Sequence, residues 1–353
     1  MNLRLLVLTA VVVIVVVGWF LATDGGDGDG DQLPAIAGDA APLSYRMVYE
    51  VDADGTASTE EHVVHRPFDA YIAQRDDAGQ LVSEQWSTLG ALVTRSKGAP
   101  AVRVDTPIAP AADDLRPDLF DARLTEAGRL VPEGASEIGG RPCRRSSEAG
   151  VTPDAVVTTR CIDELGLVLE ERWTQQGEVV RVLRAVELQL GEDVPDIDVP
   201  DAEPLGAEMG NGAVTTLGTD EHPPFAEAFE LPAPDGFTFV GRYAVVPPRL
   251  GPASTDLHAP RVALYTDVWR RGADLLLLDQ GATTSGPPPF DERSPSEEVE
   301  LARLGTAELA LDLRIAEVRL TRPDGGFVRL AGTVAPDELL RLAGSLDLLE
   351  VAR

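Results

Sequence analysis

The stretch RCIDELGLVLEERW, residues 160–173, decides how the first half of this chain is read. Asp163, Glu164, Leu165 and Gly166 form a turn: aspartate favours a reversal, and glycine supplies backbone freedom. DAVVTTRCID precedes it and LGLVLEERWTQQ follows it. Both segments have the length and residue types of short strands. Upstream lies GRPCRRSS, and downstream lies EVVRVLRAVELQL, entered through a turn at Gly177. Four strands are therefore expected here, with Cys161 closing one and Cys143, 18 positions back, inside another. These are the only two cysteines in 353 residues.

Their role depends on the compartment. Residues 5–22 are 18 consecutive uncharged, almost wholly apolar residues. A helix of that length reaches roughly 27 Å, close to the thickness of a bilayer core. Arg4 precedes it and Asp24 follows, which favours a cytoplasmic N-terminus and an external C-terminus. A cleaved signal peptide is the alternative, but cleavage after Ala22 would put bulky Phe20 where a small residue is needed. Residues 1–22 are thus expected to be a transmembrane anchor or signal, with the rest of the chain outside the cytoplasm. There a cysteine pair oxidises and stays paired. A Cys143–Cys161 disulfide would tie two strands, not necessarily direct neighbours, and is worth on the order of 3 kcal/mol in the chain-entropy account. A reactive or metal-binding pair is the competing reading, without CxxC spacing or a neighbouring His to support it.

Charge narrows the partners. The net charge is −29, from 59 acidic and 30 basic residues, of which only Lys97 is lysine. Such a surface repels nucleic acid and anionic lipid headgroups. Residues 23–42, rich in Gly and Asp, read as a spacer. Asp27, Asp29 and Asp31 resemble the start of a calcium loop, but Gln32 and Gly38 stand where an EF-hand needs Gly and Glu.

From Leu43 the pattern alternates in short segments, LSYRMVYEVD, EEHVVHRPFDAYIAQRD, QLVSEQWSTLG and ALVTRS, as an antiparallel meander. Residues 112–128 have helical spacing at Leu115, Leu119 and Leu124, interrupted by Pro117. The first domain thus spans residues 43–190. Residues 191–221, acidic and rich in Pro and Gly, read as an interdomain linker. No Lys or Arg occurs between Arg184 and Arg242, so a docking segment for a basic partner is the sharper alternative. A second domain spans residues 222–353, with a strand at GFTFVGRYAVV, a hairpin turning at Arg270, Arg271 and Gly272, a proline loop and further strands around PDGG. APDELLRLAGSLDLL is the best helix, with Pro336 in its first turn, Asp337 and Glu338 on its positive end, and one apolar face of Leu339, Leu342, Ala343 and Leu346.

Chemistry-bearing motifs are absent from the sequence: no G-x-S-x-G, H-E-x-x-H, Walker loop or G-x-G-x-x-G. His62 and His65 form HxxH in a strand, which sends the two rings to opposite faces, and both are expected to be surface histidines. His222 and His258 stand alone beside prolines. Trp86 and Trp173 lie in strand patterns, where core packing competes with lining a cavity for a lipid tail or apolar peptide.

Residues 43–190 resemble the LolA-like half-barrel of lipoprotein carriers and of the periplasmic sigma-factor regulators of the MucB/RseB family. The meander, the central helical stretch, GRPC at 140–143 and CIDELGLVL at 161–169 carry the likeness. PDGGFVRLAGTVAPDELLRLAGSL, residues 323–346, is similar to the closing segment of small extracytoplasmic domains on anti-sigma factors and MucB/RseB-like proteins. Gly326, Phe327, Gly332, Asp337, Glu338, Leu339, Leu340, Ser345 and Leu346 match it. The resemblance implies an α+β chain: an antiparallel half-barrel wrapped on a helix, then a small α+β domain ending in a helix. It also implies a non-enzymatic binding or sensing role without metal or cofactor. The ligand would be a lipid or lipoprotein, or a membrane protein such as an anti-sigma factor. Trp86, Leu169 and Trp173 are the candidate cavity-lining residues. The chain departs from the family in its membrane segment, its long acidic linker, and its lack of a zinc-finger module for direct sigma-factor binding. A structural interaction module without a cavity is the alternative, and an envelope hydrolase has the least support.

Overall fold

A computed structural model describes residues 44–53, 55–106, 108, 110, 117–148, 156–204, 213–218, 221, 227–246, 264–281, 296–311, 315–322 and 325–350. The expected membrane segment and spacer, the proline loop up to residue 295, His222 and His258 lie outside these residues. Among the described residues no helix is long and apolar enough to cross a membrane.

The first meander is β1 (Ser44–Ala53), β2 (Thr56–His65), β3 (Asp69–Arg75), β4 (Leu81–Thr88), β5 (Ala91–Ser96) and β6 (Val102–Asp105). Helix α1 (Pro117–Glu126) follows. The second meander is β7 (Leu130–Ile138), β8 (Arg141–Glu148), β9 (Val156–Ile162), β10 (Val168–Gln175) and β11 (Glu178–Leu190), after which comes the two-residue β12 (Glu203–Pro204). Antiparallel pairing of β1 with β11 joins the two meanders, from Tyr45↔Leu190 to Ala53↔Arg181. The result is one open 12-stranded sheet, ordered β12-β6-β5-β4-β3-β2-β1-β11-β10-β9-β8-β7, an arrangement like a half-barrel. Alternation places Tyr45, Met47, Tyr49 and Val51 of β1 in a core with Leu169, Trp173, Leu183 and Ala185.

Helix α1 departs from two expectations. Pro117 opens the helix instead of interrupting it, because the first helical residue needs no amide hydrogen. Nor is α1 the helix around which the half-barrel wraps: Leu124 and the adjoining Leu130 join the core of the second sheet, with Leu309, Leu311 and Leu339.

That second sheet has eight strands, ordered β13-β15-β16-β17-β21-β20-β19-β18. They are β13 (Ala213–Leu217), β15 (Thr238–Val246), β16 (Leu264–Arg271), β17 (Asp274–Gly281), β18 (Ser296–Leu301), β19 (Gly305–Leu311), β20 (Ala316–Thr321) and β21 (Phe327–Gly332). A small pair, β14 (Glu227–Glu230) and β22 (Asp347–Glu350), lies beside it. The Gln280 side chain holds β14 by accepting from Phe229 N at 2.7 Å and donating to Phe229 O at 2.8 Å. Helix α2 (Pro336–Ala343) buries Leu339, Leu342 and Ala343 as its spacing predicts, and Leu346 beyond its end is also buried. The helix stops at Gly344, so the final leucines enter β22 instead of a longer helix.

The acidic segment is partly docked. Val194 is buried, Ile197 and Ala202 pack beside Trp86, and β12 pairs parallel to β6. Farther on, β13 pairs with β15. An apolar residue every few positions lets this stretch bury contacts despite its charge.

Candidate binding site

The two sheets abut through an apolar interface. Val268, Leu275, Leu277 and Ala331 pack with Ile108, Phe68 and Leu89 from the first domain. At Gly90, φ 75°, a Cβ would stand 3.0 Å from Val214 Cγ2 on β13, so the left-handed backbone and the close approach both favour the missing side chain.

A cleft of about 440 Å³ opens between α1 and the outer strands β18 and β19, lined by Arg123, Glu126, Ala127, Ser296, Glu297, Leu309 and Leu311. Buried Leu309 and Leu311 make an apolar floor, and charged side chains make the rim. The position of α1 follows from its C-terminal cap. Gly128, at φ 70°, donates to Thr125 O, and Arg129 N donates to Leu124 O, a Schellman closure that turns the chain into β7. Arg123 spans the cleft: Nη1 donates to Glu297 Oε1 at 3.1 Å, and Nη2 donates to Asp337 Oδ1 at 2.7 Å in the first turn of α2. Nearby, Arg271 donates to both carboxylate oxygens of Glu338, at 2.7 and 3.0 Å, and lies over the Phe237 ring. The Arg271 hydrogen bond is the main cause that holds the Glu338 carboxyl below its ordinary pKa, although partial burial opposes it.

Elsewhere several buried charges have partners of opposite sign. Glu170, 2% exposed, accepts from Arg145 at 2.8 Å, Arg184 at 3.1 Å and Arg172 at 3.5 Å. Asp163 accepts from Arg141 and from the amides of Leu165 and Leu167, which makes the turn seen in the sequence. Arg160 pairs with Glu148 and Glu171. Burial works against the charge of Arg160, but these two carboxylates more than offset it and its pKa rises. In the second sheet Asp279 accepts from Thr266 at 2.6 Å and Arg329 at 2.7 Å. Burial nonetheless keeps the Asp279 carboxyl above its ordinary pKa.

The sequence candidates are distributed as follows. Cys143 and Cys161 are bonded, with Cα atoms 5.4 Å apart, across the adjacent strands β8 and β9. Leu169 and Trp173 share the core beneath β1. Trp86 belongs to a different cluster, with Val93 and Ala101. Register explains the separation. Trp173 sits with Arg181, which bonds to Glu60 next to Tyr49. Continuing through β3, that face reaches Gln85 and Ser87 on β4, while Trp86 points to the opposite face. The three residues therefore do not line one cavity. His62 is buried rather than on the surface, edge-on to Tyr49 at 4.8 Å and 3.4 Å from Glu60, because β2 lies centrally in the sheet. His65 is half-buried and bonds Ser44 Oγ and Pro195 O.

Sequence reasoning missed the cleft residues. Glu297 fell within the expected proline loop, and nothing local marks Arg123 as a residue that reaches another domain.

No family model matches the chain, and no curated protein matches it. Solved structures do match, among them three of MucB. A crystal structure of MucB in complex with MucA(peri) is 18% identical, covering 88% of this chain and 94% of that one, with a TM-score of 0.27. A crystal structure of MucB alone is 17% identical, with coverages of 87% and 93% and a TM-score of 0.28. The Pseudomonas aeruginosa MucA/MucB complex is 18% identical, with coverages of 88% and 94% and a TM-score of 0.26. The site is described from the residues of this chain alone.

Proposed function

We propose that this chain is a membrane-anchored extracytoplasmic binding and sensing protein without catalytic activity. In this reading it captures a segment of an envelope protein in the cleft between α1 and the outer strands of the second sheet, in a regulatory role. The observation that carries the reading is the cleft itself, with Leu309 and Leu311 as its floor and Arg123, Glu126 and Glu297 as its rim. A peptide matches apolar floor and charged rim together. An acyl chain would strip water from the rim without replacing its hydrogen bonds. A lipid or lipoprotein ligand is therefore the second reading, and a membrane protein such as an anti-sigma factor is the favoured partner.

The test is binding of the full chain, in detergent, to the extracytoplasmic segment of a membrane anti-sigma factor, with native mass spectrometry of the purified chain alongside. Ala127→Trp, which fills the cleft, is expected to weaken that binding at least tenfold. Unchanged binding, or a co-purifying lipid that Ala127→Trp displaces, would overturn the protein-segment reading.

A further inference from the structure

The acidic strap that follows β11 sits on a surface with the properties of a peptide acceptor. Its sequence, PDIDVPDAEP at residues 195–204, alternates apolar and acidic residues and contains three prolines. Ile197 and Ala202 pack against a cluster made of Trp86, Val93, Ala101 and Tyr71. The Tyr71 and Trp86 rings lie 5.3 Å apart, and Arg95 stands 5.3 Å from the Trp86 centroid. Arg103, half-exposed on β6 and paired with Asp105 at 2.8 Å, lies at the same edge.

The strap is lightly held. Its ladder is two residues long, Glu203↔Val102 and Pro204↔Arg103, supplemented by Glu203 N donating to Ala101 O at 3.2 Å and by Pro195 O bonded to His65 Nε2 at 3.0 Å. Pro204 has no amide hydrogen to extend it. Among the described residues no ion pair engages Asp196, Asp198, Asp201 or Glu203. Val199 is 39% exposed. Tethering raises the local concentration of such a segment to roughly millimolar, so weak contacts suffice to keep it in place. Without the strap, β6 would present an open sheet edge beside an aromatic groove, the arrangement that accepts an added strand.

We propose that the β6 edge and the Trp86 groove form a second docking surface, for an extended peptide segment of a partner protein that alternates apolar and acidic residues. Residues 195–204 occupy the surface in cis, and a partner segment of the same chemistry displaces them. This surface is separate from the cleft beside α1, and its occupant is indicated by the chain's own segment seated on it.

The probe is a fluorescent peptide of sequence PDIDVPDAEP, added in trans to the full chain in detergent and followed by anisotropy. Ile197→Ser combined with Ala202→Ser loosens the strap and is expected to tighten peptide binding by about tenfold over the unaltered chain. Val199→Ser, at an exposed position, is expected to leave binding unchanged. Trp86→Ala in the loosened background is expected to abolish it. Amide exchange over residues 102–105 guards against simple unfolding: it should quicken in the loosened chain and slow again when peptide saturates it. Equal peptide affinity in the unaltered and loosened chains, or binding that survives Trp86→Ala, would overturn the proposal. So would exchange at β6 that peptide does not slow.

Discussion

Strands β1 and β17 each cross the middle of a sheet, yet their sequences follow different rules. On β1, Tyr45, Met47, Tyr49 and Val51 are buried while Arg46, Val48 and Glu50 are not. On β17, Leu275, Leu276, Leu277 and Leu278 all have no exposed surface. An antiparallel strand alternates when one face meets water and loses its alternation when both faces are covered. Leu276 and Leu278 face the core under α2, and Leu275 and Leu277 face the first domain. Four consecutive leucines therefore mark the strand against which residues of the first sheet rest.

Truncating the interface is the strongest way to break this comparison. Leu277→Ala should lose about 3 kcal/mol of unfolding free energy and split the calorimetric transition into two, because it acts where the domains meet. Met47→Ala should cost a similar amount while leaving domain coupling intact. A single, unsplit transition for Leu277→Ala would show that β17 does not join the domains. Next in size is the disulfide. Cys143→Ser with Cys161→Ser should cost about 3 kcal/mol in urea unfolding without splitting the transition. Glu170→Gln sharpens the account of the charged side of that sheet. It should cost about 2 kcal/mol, less than an isolated buried pair, since Arg172 and Arg184 keep partial contact with water.

The smallest effect belongs to the second domain. Glu338→Gln should cost about 0.5–1 kcal/mol at neutral pH. Arg271 holds the folded-state pKa of Glu338 below its unfolded value. The contribution is therefore present above the ordinary carboxylate pKa and is lost as pH falls through the lower, folded-state pKa. The difference between Glu338→Gln and the unaltered chain should vanish in that acidic window. A gap that stays constant with pH would mean that Glu338 acts through packing and not through its charge.

Much of the strand layout was legible. The meander from Leu43, the turn at Asp163–Gly166, the hairpin before the four leucines and the apolar face of α2 all follow from local periodicity and turn chemistry. Less legible were β6, β7, β13, β14, β18 and β22, whose short or polar sequences gain their strand character from a neighbouring edge. The candidate site was least legible. Trp86 and Trp173 look alike in the sequence, but only the register across β1, β2, β3 and β4 sends them to opposite faces.

By itself the sequence determined the local features: which segments extend, where they turn, which face of α2 is apolar, and that its two cysteines would serve each other. Tertiary structure alone decided that α1 leaves the half-barrel for the second domain, that an acidic strap covers Trp86, and that Arg123 spans a cleft to Glu297 and Asp337. Periodicity reports which side of a segment avoids water. It carries no information about which of several apolar surfaces, more than a hundred residues away, will provide the cover.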